Sequence, residues 1–222
     1  AEGKIRGWGA CNDNAYGLAA SCAAARTLGV PPPVAWQNDY SVIDRRAEEN
    51  GVWEACSPAN ENVGFMGYNA LAGGVLTGKY LSGAPPATDD TDRLRSLQSL
   101  AQPRGRMDDL RWGPTLYRYR SAAAERATRA YAKIAADSGM SLAELSLRWC
   151  RERKGTTSVL LGHTSMEQLR EDVGYFQNPK PLPRDVLWEI DRVHMQNRLP
   201  IFSNDSVGPR STGRGEIGEP IP

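Results

Sequence analysis

Four short apolar runs in this chain of 222 residues each end on side chains able to hold a polar ring. The first closes at Gly9-Ala10-Cys11-Asn12, the second at Gln37-Asn38, the third at Tyr68-Asn69 and the fourth at Gly162-His163-Thr164. Cys11, Asn12, Gln37 and Asn69 donate or accept hydrogen bonds, and Tyr68 offers a flat face. In a β/α barrel, ligands sit where strands end. Amides beside an aromatic side chain suit a carboxamide carried on an aromatic ring. The four cysteines, Cys11, Cys22, Cys56 and Cys150, show neither C-x-x-C spacing nor a nearby histidine, so no zinc site or dithiol motif is predicted. Cys11 reads as a small buried apolar residue. His163 and His194 are the only histidines, and a lone helical histidine reads as a surface or capping residue.

The elements that position these residues follow from periodicity and punctuation. Ile5 to Gly9 is a short strand, and Ala15 to Leu28 is a helix opened by Cys11-Asn12-Asp13-Asn14 and closed by Gly29. Val34 to Gln37 is a second strand, Asp44 to Ala55 a second helix, and Val63 to Tyr68 a third strand. Gly83 to Tyr119 has no sustained periodicity, and a loop of that length is usually functional. Trp112, Tyr117, Arg118 and Tyr119 within it read as loop packing. Ala122 to Asp137 is a helix, with Glu125 to Arg129 on its solvated side. Capping boxes at Ser141-Leu142-Ala143-Glu144 and Ser165-Met166-Glu167-Gln168 open helices to about Arg151 and about Tyr175. Between them Thr156 to Leu161 is an apolar strand, and Arg184 to Gln196 is a final amphipathic helix. Residues 1–202 make one domain, and 203–222 a flexible tail rich in Gly, Pro and Ser. Strands alternating with helices predict an α/β fold with a parallel sheet. Four strands fit either an open sheet or part of a (β/α)8 barrel, which needs eight strands and about 250 residues.

Composition narrows the function. Hydrophobic residues at 40% and charged residues at 24% are those of a globular protein, and the formal net charge of +1 provides no field for nucleic acid or an anionic membrane. No apolar run reaches the roughly 20 residues that span a bilayer. The opening Ala-Glu-Gly-Lys-Ile-Arg has no signal-peptide core and no Met, a start expected of a processed or cut polypeptide. Unpaired cysteine usage predicts a reducing compartment, cytoplasmic or a plastid stroma.

Longer motifs carry a family resemblance over Gly3 to about Pro200. Gly3-Lys4-Ile5-Arg6-Gly7-Trp8-Gly9-Ala10-Cys11-Asn12 resembles the fifth-strand motif of the aldo-keto reductases, G-K-I-R-x-x-G-x-S-N. Trp36-Gln37-Asn38-Asp39-Tyr40-Ser41 resembles the sixth-strand motif, and Val63 to Tyr80 the seventh strand with its glycine-rich loop. Ser158 to Leu169 resembles the eighth strand and the helix start that follows it. The likeness is closest to the channel-β-subunit and aflatoxin-aldehyde-reductase-like branches.

The resemblance implies a parallel (β/α)8 TIM barrel of which this chain supplies the C-terminal half, with NADP as cofactor. Cys11, Asn12 and Gln37 would surround the nicotinamide carboxamide and Tyr68 would stack on the ring. Asn69, Leu71, Gly73 and Lys79 would wrap the pyrophosphate. Gly162, Thr164 and Gln168, where the fourth strand meets a helix N-terminus, would take the 2′-phosphate, and Glu171 and Asp172 would face adenine. Cys11 for Ser, Ala70 for Pro and Asp172 for Asn depart from the family pattern in directions that weaken cofactor affinity. The family's Asp, Tyr, Lys, His tetrad belongs to the first four strands, ahead of Gly3. The chain alone is therefore expected to lack carbonyl reductase activity, to act on an aldehyde or ketone only with a missing N-terminal half or a second chain, or to serve as a non-catalytic, nucleotide-sensing subunit. A half barrel also exposes strand edges that another body must cover.

Overall fold

The structure is a computed structural model describing residues 3–81, 105–107, 116–178 and 180–203. Its elements are β1 (Gly9–Cys11), α1 (Ala15–Leu28), β2 (Ala35–Asp39), α2 (Arg46–Glu49), α3 (Val52–Cys56), β3 (Gly64–Tyr68), α4 (Ala122–Asp137), α5 (Leu142–Glu152), β4 (Ser158–Val159), α6 (Met166–Gln177) and α7 (Arg184–Gln196). Short 3-10 turns occupy Ala72–Thr77, Tyr117–Tyr119 and Pro200–Phe202. The strands are parallel and lie in sequence order, with Cys11 beside Gln37, Asp39 beside Tyr68 and Met66 beside Ser158. Sequential parallel strands separated by helices are consecutive units of a (β/α)8 barrel, so the expected α/β class and partial-barrel architecture are both present.

Burial along the strands shows which face the helices cover. Trp36 and Phe65 are fully buried, and a side chain at Gly67 would meet Tyr40, whereas Gln37, Met66 and Tyr68 on the alternate positions are half-buried. The core under the covered face centres on Tyr40, whose ring stacks on Trp149 and meets Phe65 edge-on. Tyr40 donates from its hydroxyl to Glu48, which also takes two bonds from Arg153, at 3.0 and 2.8 Å. The positions on the other face are less buried, and among the described residues β1 and β4 each pair on one side only.

Helix ends follow the sequence closely. Asn14 caps α1 by accepting from the Gly17 N–H, and Gly29 closes it in the left-handed region at φ 64°. Ser121, Ser141 and Ser165 cap α4, α5 and α6 through their hydroxyls.

Several expectations are corrected. The helix expected over Asp44 to Ala55 is broken into α2 and α3, because Gly51 adopts φ 83°. The first strand begins at Gly9 rather than Ile5, which is 72% exposed, although Val34 already donates to the Trp8 carbonyl. The fourth strand shrinks from Thr156 to Leu161 to two residues flanked by single bonds to Phe65 and Gly67, since it pairs along one edge only. Glu125 is not on a solvated face: it is buried and receives two bonds from Arg129. His194 is buried too, 2.8 Å from Glu49. Cys11 is exposed, not buried. Trp112, most of the Gly83 to Tyr119 loop and the tail beyond Ser203 lie outside the described residues.

Candidate functional site

The residues at the ends of β1, β2 and β3 converge. Asn12, at φ 61° just past β1, donates its N–H to the Gln37 carbonyl at 2.8 Å. Its Oδ1 accepts the Tyr68 hydroxyl at 2.7 Å, and Cys11 Sγ donates to Gln37 Oε1 at 3.3 Å. Burial first, then the nearby Asp39 and Cys11, push the Tyr68 phenol above its ordinary value, against Arg118 and the Asn12 bond. The hydroxyl is engaged with Asn12 Oδ1, so the phenol positions that neighbour.

Beside them opens a polar cleft of about 240 Å³ lined by Asn12, Asn38, Asp39, Arg46, Tyr68 and Arg118. Its charges are internally matched: Arg118 pairs with Asp39 at 2.7 Å and Arg46 with the fully buried Asp44 at 2.7 Å. Asn38 donates from Nδ2 to the Asp13 carbonyl, while its buried Oδ1 has no donor among the described residues.

The glycine-rich loop after β3 is held from within. Asn69, Ala72, Gly73, Gly74 and Gly78 all have positive φ. The N–H groups of Ala72, Gly73 and Gly74 are turned to the Asn69 carbonyl, Asn69 Oδ1 and the Leu71 carbonyl at 2.7, 2.6 and 2.8 Å. Asn69 Nδ2 donates to the Tyr119 hydroxyl at 2.9 Å and to Asp39 at 3.2 Å. Asn69 thus spends its side chain on shaping the loop. A side chain at Gly73 would stand 2.4 Å from Leu116. Lys79 folds back over the loop, its Nζ 5.2 Å from the Tyr80 ring centre.

The remaining predicted residues form a second group at the end of β4. Gln168 Oε1 accepts from both the N–H and the hydroxyl of Thr164, at 2.9 and 3.1 Å. Gly162, Thr164, Gln168 and Glu171 are exposed. Asp172 is buried, with its carboxylate 2.9 Å from His163 Nε2; burial raises its carboxyl and His163 opposes that. No hydrogen bond among the described residues joins this group to the first, although Leu160 donates to the Gly67 carbonyl and so sets the two strand ends side by side. Among the described residues no three acidic, cysteine or histidine side chains are grouped to hold a metal. No described helix is long and apolar enough to cross a membrane.

Asp39 and Arg118 are the residues that sequence reading passed over. Asp39 stood inside a motif whose glutamine drew attention, and Arg118 in a stretch read as packing. The available signal was a carboxylate placed directly after two amides at a strand end.

Comparison with known proteins matches residues 1–194 to the aldo/keto reductase family. An aldo-keto reductase of Babesia bovis is 34% identical over 202 residues, which are 90% of this chain and 65% of that protein. Protein tas of Escherichia coli K12 is 33% identical over 198 residues, covering 89% of this chain and 50% of the relative. The chain therefore spans between half and two thirds of the length of these relatives. The motifs at its four strand ends, its parallel sheet and these matches place it plainly: the chain belongs to the aldo/keto reductase family.

Proposed function

We propose that this chain is the nucleotide-holding half of an NADP-dependent oxidoreductase that reduces an aldehyde or ketone. The observation that carries the reading is the convergence of Asn12, Gln37 and the Tyr68 ring at one end of the sheet. The residues fit a nicotinamide: the Asn12 amide and the Tyr68 face line a cleft with Asn38, whose buried Oδ1 has no N–H donor among the described residues, and Gln37 stands beside Asn12. When bound, the reduced nicotinamide supplies hydride. Gln37 and Asn12 orient the carboxamide, Tyr68 covers one face of the ring, and the loop from Asn69 to Lys79 borders the pyrophosphate. Thr164 and Gln168, exposed at the first turn of α6, favour a 2′-phosphate through the helix N-terminus and hence NADP over NAD.

The proton donor is assigned outside these residues, since the hydroxyl of Tyr68, the tyrosine beside these amides, is already bonded to Asn12. The half-buried face carrying Gln37 and Met66, and the single-sided β1 and β4, call for four further β/α units on the same polypeptide or on a second chain. The assembled protein is proposed to work in the cytoplasm or an equivalent reducing compartment.

The test is a titration of the full-length protein with NADPH and NADH by protein fluorescence, followed by turnover of an aldehyde and ketone panel. Preference for NADPH of about tenfold or more, with turnover lost in Tyr68→Ala, is the expected result. Tight NADPH binding with no turnover of any carbonyl compound would move the assignment to a nucleotide-sensing subunit.

A further inference from the structure

Asp39 has no part in the cofactor reading, yet it is the node of the site. It ends β2 opposite Tyr68, is 6% exposed, and its two oxygens hold two separate segments. Oδ2 accepts from Arg118 at 2.7 Å and Oδ1 from Asn69 Nδ2 at 3.2 Å. Asn69 passes the constraint onward, its Oδ1 accepting the Gly73 N–H and its Nδ2 donating to the Tyr119 hydroxyl. One carboxylate is thereby tied both to the glycine-rich loop and to the segment 116–120 that packs against it, where Leu116 fills the space left by Gly73. Such ties are needed because Asn69 and Ala72 hold positive φ without being glycine, a conformation that persists only when its surroundings enforce it.

We propose that Asp39 is a positioning residue for the dinucleotide: its carboxylate locks the loop 69–79 to the segment 116–120 in the shape that receives the pyrophosphate, and the lock opens when the carboxyl takes up a proton. This rests on the NADP reading above. Arg118 holds an ionised carboxylate far more strongly than a neutral acid, and a proton on Oδ2 would sit where Arg118 donates, while the Asn69 bond is strengthened by the same charge. The groups facing Asp39 are Asp44 from the turn after β2, Arg46 from α2, Tyr68 from the end of β3, and Arg118 and Tyr119 from the packed segment. Burial, followed by the like charge of Asp44, pushes its carboxyl up to about 6, against Asn69, Arg118 and Arg46. The receiving shape is therefore the deprotonated one, and affinity rises with pH through that value.

The experiment uses the full-length protein and NADP+, which withstands acid, titrated by protein fluorescence from about pH 5 to about pH 8 for wild type, Asp39→Asn and Asp39→Glu. A phosphate monoester also titrates near pH 6, so the quantity read is the ratio of variant to wild-type Kd at each pH, in which the ligand's titration cancels. The expected ratio for Asp39→Asn is about ten at the alkaline end, falling to about one at the acid end, with Asp39→Glu recovering part of the alkaline affinity. Arg118→Met repeats the test from the other partner: affinity at the alkaline end falls and the transition moves up in pH. A ratio that stays constant with pH, or Asp39→Asn binding as tightly as wild type throughout, overturns the role of Asp39 alone. Absence of NADP+ binding to the wild type at every pH overturns the dinucleotide reading, and this one with it.

Discussion

The Tyr68 hydroxyl donates to Asn12 Oδ1 at 2.7 Å, joining the end of β3 to the end of β1 across β2, which lies between them. The bond fixes Asn12, whose φ of 61° is costly for a residue other than glycine, and it turns the phenol ring toward the cleft edge. Removal of the hydroxyl and removal of the ring should therefore differ. Tyr68→Phe is expected to weaken NADPH by about twofold to fivefold, and Tyr68→Ala by about tenfold or more, since stacking on a nucleotide ring contributes about 1–3 kcal/mol. Fluorescence titration of both variants decides it; equal losses would remove the ring from the binding account.

Cysteine labelling reports on the same place without requiring turnover. Cys11 is exposed beside Gln37, whereas Cys22, Cys56 and Cys150 are buried, and burial raises all three thiols, Cys56 to about 11. Iodoacetamide at neutral pH is expected to modify Cys11 well ahead of the others, and NADP+ to slow that reaction. Peptide mass mapping showing rapid labelling of a second cysteine, or no protection, would contradict this.

Gly73→Ala combines a positive φ with a contact of 2.4 Å to Leu116. We expect a loss of about 1–3 kcal/mol in urea unfolding. Adding Leu116→Ala should recover the steric part and leave the backbone part, giving a coupling that a double-mutant cycle measures.

Tyr40→Phe deletes one of three hydrogen bonds to Glu48 and leaves the ring stack with Trp149 in place. A buried bond to a charged group accounts for about 1.5–3 kcal/mol, and the same unfolding assay should show a loss in that range. A neutral result would mean that water replaces the hydroxyl.

Asp39 also makes a prediction about stability, with the opposite sign to its effect on binding. Its folded value of about 6 lies above the ordinary carboxyl value of 3.8, so the folded protein holds the proton more tightly than the unfolded chain. Its contribution is complete below the unfolded value and lost as pH rises through the folded one. Asp39→Asn should therefore gain on the wild type by up to about 2–3 kcal/mol between pH 4 and pH 7.5, read from the gap in thermal midpoints. A gap that narrows as pH rises would reverse the assignment of the proton.

What the sequence made legible was local. Caps at Asn14, Ser141 and Ser165 act within one turn, so residue type and spacing suffice to place α1, α5 and α6. The strand end at Tyr68 was legible because an apolar run stops there, whereas β2 runs on past Gln37 to Asp39 by pairing with β3. Gly51 broke a helix that periodicity alone continued, and β4 shortened because strand length depends on a neighbour that no local pattern contains. The buried state of Glu125 and His194 comes from partners, and for His194 that partner is 145 positions away. Asp39 was hidden for the same reason: its meaning lies in Arg118, 79 positions downstream.

Arg45 shows what such distance means during synthesis. Its guanidinium is buried over Trp149 and paired with Asp191 at 2.6 Å, 146 positions on, while Glu49 of the same turn pairs with His194. A ribosome that has delivered α2 has still to make α7, and until it does the cation near Trp149 lacks its counter-ion, an arrangement that is strongly unfavourable when buried. The second β/α unit therefore lacks two of its long-range polar contacts until α7 docks. A polypeptide that stops short of Asp191 leaves the Arg45 guanidinium without that counter-ion.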